Sequence, residues 1–226
     1  MGPVRVLAID TSANRASVAL LEAGVLVASR EHAAPKQSAE RLVPLIAELL
    51  AETAWPRSSL ARLGVAVGPG SFTGLRIGIA CAQGLALGLG VPLLGVTSLR
   101  AMARAVPPEI PGPRCAVLDA RRGEVFVAVH EAGPRARELL PPRALPVASA
   151  RTTIESELGA APLWIGSGLS LLDLTPSYVS AASHEPHASA VGLLAEELEP
   201  SEHPPLPVYI RDAGATLPNL GAPARH

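Results

Sequence analysis

Apolar and polar positions along this chain follow two rhythms. Val4 to Ile9 and Ala16 to Leu21 are β-rich runs, and in the second Ser17 and Ala19 alternate with Val18 and Leu20. Period-two runs of this kind predict strands. After the tight turn Ala23-Gly24, Val25 to Ser29 predicts a third strand, and the short connections make the three an antiparallel meander. The rhythm then changes. Leu42, Leu45, Ile46, Leu49 and Leu50 share one helical face, which predicts a helix from Ser38 to Thr53. Pro44 falls inside it and predicts a bend or a later start. A strand from Leu63 to Val67, a helix from Ser71 to about Leu89, a strand from Leu93 to Val96 and a short helix from Ser98 to Ala105 follow.

Ala105 to Pro113 holds four prolines and a glycine and reads as a boundary or hinge. Beyond it the order repeats in shortened form. Strands are expected at Cys115 to Leu118, Glu124 to His130 and, more weakly, Arg137 to Leu140. A helix from Ala150 to Leu158, a strand from Leu163 to Ile165 and a last helix from Ala188 to Glu199 complete the series. Leu206 to Ile210 is extended, and a Gly-, Ala- and Pro-rich tail from Ala213 is expected to be loose. Two α/β lobes facing each other across a cleft are the expected architecture.

The run Gly68-Pro69-Gly70-Ser71-Phe72-Thr73-Gly74-Leu75-Arg76-Ile77-Gly78 is the most informative stretch. It joins a strand to a helix N-terminus. Its glycines could present backbone N–H groups to an anion, or let another segment come very close. It is not a P-loop, because no Lys follows, and not a nucleophile elbow, because Ser71 lacks the flanking glycines. Ser71 is expected to cap the helix.

Bulk composition narrows the picture. With 48% hydrophobic residues and 3% aromatics, the chain can bury a core built from Leu, Val, Ile and Ala. A formal net charge of −1 without a basic block argues against a nucleic-acid binder acting alone. Cys81 in an apolar helix and Cys115 in an apolar strand read as free thiols of a reducing compartment, and no leader pattern opens the chain, so a cytoplasmic location is expected. Ile77 to Val96 has transmembrane length, but Gly84, Gly88, Gly90 and Pro92 break it, and a buried helix followed by a buried strand is expected instead.

The element order, with Asp10 closing the first strand, resembles the sugar-kinase/Hsp70/actin (ASKHA) superfamily, whose lobes are ribonuclease-H-like. Within it Leu7-Ala8-Ile9-Asp10-Thr11-Ser12, Val67 to Gly78, Pro92 to Leu99 and Leu118 to Val125 resemble the TsaB (YeaZ) family. The resemblance is good over about the first 130 residues and thin beyond. It implies an N-terminal lobe over 1–106, a shortened C-terminal lobe over 107–212 and a flexible tail over 213–226. It also implies a non-catalytic partner of the transferase TsaD in making threonylcarbamoyladenosine at adenosine 37 of tRNA. An ATPase, TsaE, belongs to the same assembly. The chain would have no cofactor of its own; ATP or ADP, where present, belongs at the partner interface. tRNA would be met only through the complex, and no membrane is involved.

The residues agree with a subunit that does no chemistry. TsaD carries a His-x-x-x-His metal pair, and the matching positions here are Ser98 and Met102, so no metal is expected. The nearest histidine pair, His184 and His187, is interrupted by Pro186. The second lobe's turn Ala120-Arg121-Arg122 obstructs the backbone approach that a phosphate needs; Arg121 and Arg122 read equally as a solvated hairpin tip or as an anion or interface contact. Asp10, Thr11, Ser12, Gly68, Gly70 and Ser71 read as a vestigial nucleotide loop, with Asp10 structural. For the partner contact, Leu42, Leu45, Ile46 and Leu49 on the first helix are expected, with the small row Gly74, Gly78, Ala82 on the second. Ala80, Gly84 and Gly88 form another small row. The partner would be TsaD, or a second copy of this chain. The alternative is an autonomous ATP-dependent phosphotransferase of the ASKHA type, motivated by Asp10, Thr11 and the loop Gly166-Ser167-Gly168. A peptidase would need a zinc site or an activated nucleophile, and the sequence presents neither.

Overall fold

The computed structural model describes residues 2–33 and 38–210. Two mixed sheets form its frame. The first has strands β1 (Arg5–Asp10), β2 (Ala16–Glu22), β3 (Val25–His32), β4 (Arg62–Gly68) and β5 (Leu93–Thr97), in the order β3-β2-β1-β4-β5. β1 to β3 are antiparallel, while β4 pairs parallel to β1 and β5 parallel to β4. The second sheet has β6 (Arg114–Arg121), β7 (Glu124–His130), β8 (Glu138–Pro146) and β9 (Leu163–Ile165), in the order β8-β7-β6-β9. Its three antiparallel strands and one parallel strand reproduce the first four positions of the other sheet and omit the fifth. These are the two ribonuclease-H-like lobes, the second shortened.

Strand alternation decides which face each helix covers. Leu7, Ile9, Val18 and Leu20 point to one face of the first sheet, where α1 (Ser38–Glu52) and α2 (Phe72–Leu89) pack. Val6, Ala8, Ala19 and Leu21 point to the other, which is covered by α6 (Ala188–Glu197). The first lobe therefore takes one of its covering helices from late in the chain. The fit is close: a Cβ at Gly64 of β4 would lie 2.6 Å from the Cβ of Ala195 on α6. In the second sheet α4 (Val147–Leu158) covers the face carrying Val117, Val125 and Val127. α3 (Ser98–Arg104) sits between the lobes, with Ala101 in the first lobe's core and Leu99 and Met102 against Ala116, Ala128 and Ile165 of the second. α5 (Ala181–His184) is a single turn that the sequence did not suggest.

Two local features fix the connections. The Pro-rich hinge wraps the guanidinium of the fully buried Arg114, which donates to the carbonyls of Gly112 at 2.7 Å, Pro107 at 3.0 Å and Ile110 at 2.6 Å. At the start of α6 the imidazole of His187 accepts from the Ser189 N–H at 3.1 Å and lies 2.9 Å from the Glu31 carboxylate, which also meets Arg15 at 3.3 Å. That chain ties edge strand β3 to α6. α1 runs continuously through Pro44. The expected loose tail over 213–226 lies outside the described residues.

Candidate functional site

β1 ends at Asp10 deep in the first lobe. Its Oδ1 accepts the Ser12 N–H at 2.9 Å and the Ser12 hydroxyl at 2.6 Å, while Oδ2 is buried without a hydrogen-bond partner. Burial raises the Asp10 carboxyl above its ordinary range, against the lowering effect of the Ser12 bonds. With one oxygen committed to both Ser12 donors, the carboxyl caps the turn that follows β1.

The Gly-rich turn closes directly on this segment. The Ser71 N–H donates to the Ser12 carbonyl at 2.7 Å, and the Ser71 hydroxyl caps α2 by accepting from the Gly74 N–H at 3.2 Å. The Thr11 hydroxyl donates to the Gly74 carbonyl at 2.7 Å. A Cβ at Gly70 would collide with the Ser12 carbonyl, at Gly74 with the Thr11 carbonyl, and at Gly78 with the Thr11 hydroxyl. Asp10, Thr11, Ser12, Gly70 and Ser71 therefore do gather at one place. Gly68, with φ of 106°, stands at the end of β4 beneath Val208. The glycines serve close packing of α2 onto β1, and two of the turn's N–H groups are spent inside the chain.

Between the lobes lies a cleft of about 590 Å³. Ser12, Asn14 and Ser71 line it from the first lobe, and Asp119, Arg121 and Ser167 from the second. The tip of the β6–β7 hairpin carries Arg121 and Arg122 with φ of 62° and 56°, and Arg121 is paired with Asp119 at 3.1 Å. Gly166 and Gly168 are pressed onto the β6 backbone, a Cβ at Gly168 lying 2.8 Å from the Leu118 carbonyl carbon. Ser98 and Met102 are both fully buried in α3.

The helices expected to meet a partner need one correction. Leu42, Leu45, Ile46, Leu49, Gly78 and Ala82 are buried in the chain's own core, and Gly74 is packed on Thr11. The reason is geometric: Leu75 and Ile79 carry the same face of α2 onto the sheet, so the small row beside them goes inward. The outward row is the other one. Ala80, Gly84 and Gly88 are exposed together with Leu87, which is 86% exposed, and nothing stands within 4 Å of a Cβ built at Gly84 or Gly88. Val43 on α1 is 58% exposed beside them and shares with Ile46, Leu85 and Leu89 a small apolar groove between the helices. α2 is thus long and apolar but only half covered, where the sequence led us to expect a buried helix. Gly90 ends it in the left-handed conformation, φ 67°, and β5 follows as expected. At the other end of the face Phe72 stacks on Tyr209 at 5.3 Å, and the Arg76 guanidinium lies 3.7 Å over the Phe72 ring.

Comparison with known proteins agrees with this geometry. A family model described as TsaD, tRNA N6-adenosine threonylcarbamoyltransferase, matches residues 27–152. The tRNA threonylcarbamoyladenosine biosynthesis protein TsaB of Bacillus subtilis (strain 168) is 30% identical over 219 residues, 93% of this chain and 95% of that protein. The protein of the same name from Escherichia coli (strain K12) is 40% identical over 129 residues, and the match spans 57% of this chain and about half, 55%, of that relative. The solved structure of YeaZ from Pseudomonas aeruginosa superposes with a TM-score of 0.74 at 30% identity, covering 91% of this chain and 99% of that one. A second solved structure, titled as an uncharacterized protein with similarity to peptidase YEAZ from Pseudomonas aeruginosa, gives a TM-score of 0.75 at 32% identity. Sequence and fold agree along nearly the whole chain, and the chain belongs to the TsaB (YeaZ) family.

Proposed function

We propose that this chain is a non-catalytic subunit in the biosynthesis of threonylcarbamoyladenosine in tRNA, and that it supports a TsaD-like transferase by docking it on α2. The observation that carries this reading is the uncovered face of α2: Ala80, Gly84, Leu87 and Gly88 in one row, with Val43 of α1 alongside. Small residues admit a partner helix to short range, and Leu87 supplies an apolar anchor. The nucleotide-site remnants support it too. Asp10 is buried and bonded to Ser12, and the Gly-rich turn is filled by residues 11 and 12. A TsaE-like ATPase joins at the level of the complex, tRNA is met through the assembled partners, and ATP or ADP belongs at the partner interface. Without the transferase, the same face serves a second copy of this chain.

The test is reconstitution of the modification with the transferase, in the presence and absence of this chain. Leu87→Glu and Gly84→Glu are expected to keep the parent's melting temperature within a few degrees, since surface substitutions of this kind stay within about 0.5 kcal/mol. They are expected to abolish co-purification with the transferase and the chain's stimulation of tRNA modification. Modified tRNA formed equally well without the chain would sink the reading. Turnover of ATP by the purified chain on a small hydroxylated acceptor would favour the phosphotransferase instead.

A further inference from the structure

A second cavity, of about 300 Å³, lies apart from the interlobe cleft and shares no residue with it. Gly95, Val96 and Thr97 at the end of β5 line it, with Arg100 of α3, Glu138 of β8, Leu198 and His203. Two opposite charges thus face one space. Among the described residues Arg100 has no carboxylate within ion-pair distance, although Glu138 and Glu197 both attract it from farther off. The guanidinium of Arg100 makes one long contact, Nη2–H to the Ala136 carbonyl at 3.4 Å, and its Nε is buried with no partner. Glu138 comes no nearer to a base than 3.8 Å from the Nε2 of His130, and it stays beyond ion-pair range of Arg100. The Thr97 hydroxyl is also buried and unpartnered. The neighbouring acids are engaged elsewhere: Glu197 takes the guanidinium of Arg104 at 2.7 Å.

We propose that this cavity binds a small zwitterion, with its carboxylate on Arg100 and its ammonium group on Glu138. The guanidinium of Arg100 is half-buried with no carboxylate in direct contact, Glu138 and Glu197 acting on it only from a distance, and its planar fork suits a carboxylate. A simple anion would satisfy Arg100 but stand against Glu138, and a doubly charged phosphate would do so more strongly; a ligand carrying both charges meets both walls. His203 adds a neutral wall, because burial and the nearby Arg100 hold its pKa below the ordinary value. His130 behind Glu138 is held neutral in the same way, so Glu138 is left without a cationic partner on that side. The site is independent of the α2 face and stands whether or not the partner reading does.

Glycine is the probe, titrated into the full chain by calorimetry, with acetate and methylammonium as single-charge controls. Millimolar binding of glycine is expected, at least about tenfold tighter than either control, as one charge-assisted contact alone is worth that factor. Arg100→Gln and Glu138→Gln are each expected to weaken glycine about tenfold or more. Glu138→Gln is expected at the same time to leave acetate unchanged or improve it. The His203 imidazole proton shifts, followed by NMR in the parent and in both variants, report occupancy even where a variant loses stability. Absence of glycine binding to the parent overturns the proposal. So does acetate binding as well as glycine, with Glu138→Gln silent.

Discussion

Gly78 lies against Thr11 so closely that any side chain there would collide with the Thr11 hydroxyl, which donates 2.7 Å away to the Gly74 carbonyl. Gly84, six residues on, meets nothing within 4 Å. The same substitution should therefore have opposite signs at the two positions. Alanine gains about 0.5–1 kcal/mol over glycine inside a helix. Gly84→Ala is expected to stabilise by about that much. At position 78 the gain is overwhelmed by displacement of α2 from β1, and Gly78→Ala is expected to destabilise by roughly 1–3 kcal/mol. Urea denaturation of the two variants measures both. Equal effects would mean that α2 does not sit on Thr11 as described.

Those two positions also show what the sequence could reveal. The strand and helix order was legible because each element buries one face, and alternation at Leu7, Ile9, Val18 and Leu20 or helical spacing at Leu42 to Leu50 marks that face directly. The Gly-rich turn was legible as a close approach, but its occupant was not, because residues 11 and 12 reach it only after β1 and β4 pair. The choice between small rows on α2 failed for a related reason. Glycine carries no hydrophobic signal, and the row was picked by spacing alone, although Leu75 and Ile79 beside it mark the covered side. Packing of α6 on the first sheet was not legible either; nothing local in Ala188 to Glu197 says which lobe it joins. The cavity at Arg100 is assembled from β5, α3 and β8, and no motif announces it.

Asp10 yields a prediction about charge. Its carboxyl is raised by burial, so the folded state binds a proton that the unfolded chain releases above about pH 3.8. Stability carried by this group is present below that pH and falls as pH rises toward the folded value. Asp10→Asn keeps an acceptor for the Ser12 N–H and hydroxyl and removes the protonation cost. It is expected to be neutral or stabilising at pH 7. Asp10→Ala strands both Ser12 donors and is expected to cost about 1–3 kcal/mol. Thermal melts at pH 5 and pH 8 distinguish the two. A strongly destabilised Asn variant would mean that the folded protein uses the charge.

His130 sets an acid limit. It is 1% exposed, neither ring nitrogen has a hydrogen-bond partner, and burial with Arg100 nearby lowers its pKa from 6.5 to about 4. The folded state then binds fewer protons than the unfolded state between those values, so stability rises with pH there. Its full value holds above about pH 6.5, and roughly 3 kcal/mol is lost by pH 4. His187, lowered by burial as well, adds to the same slope. His130→Phe is expected to flatten the acid side of the stability profile while leaving a residual slope from His187. An unchanged profile would show that His130 titrates normally.

Arg114 holds the hinge. Three carbonyls from a nine-residue Pro-rich stretch converge on one guanidinium that is wholly inside the protein. Methionine would fill most of the space of the aliphatic stem but leave those carbonyls without a donor. Leaving buried carbonyls without a donor costs about 1–3 kcal/mol each where water cannot replace it. Arg114→Lys recovers only part, because an ammonium is a point charge and cannot span carbonyls at Pro107, Ile110 and Gly112 in one plane. The stability order expected is parent above Lys above Met. The loss should also be local first, since the carbonyls belong to the segment joining β6 to α3. Limited proteolysis of Arg114→Met is expected to cut between Pro107 and Pro113 before anywhere in either sheet. A Met variant within about 1 kcal/mol of the parent, and no easier to cleave there, would show that the proline backbone orders the hinge without its arginine.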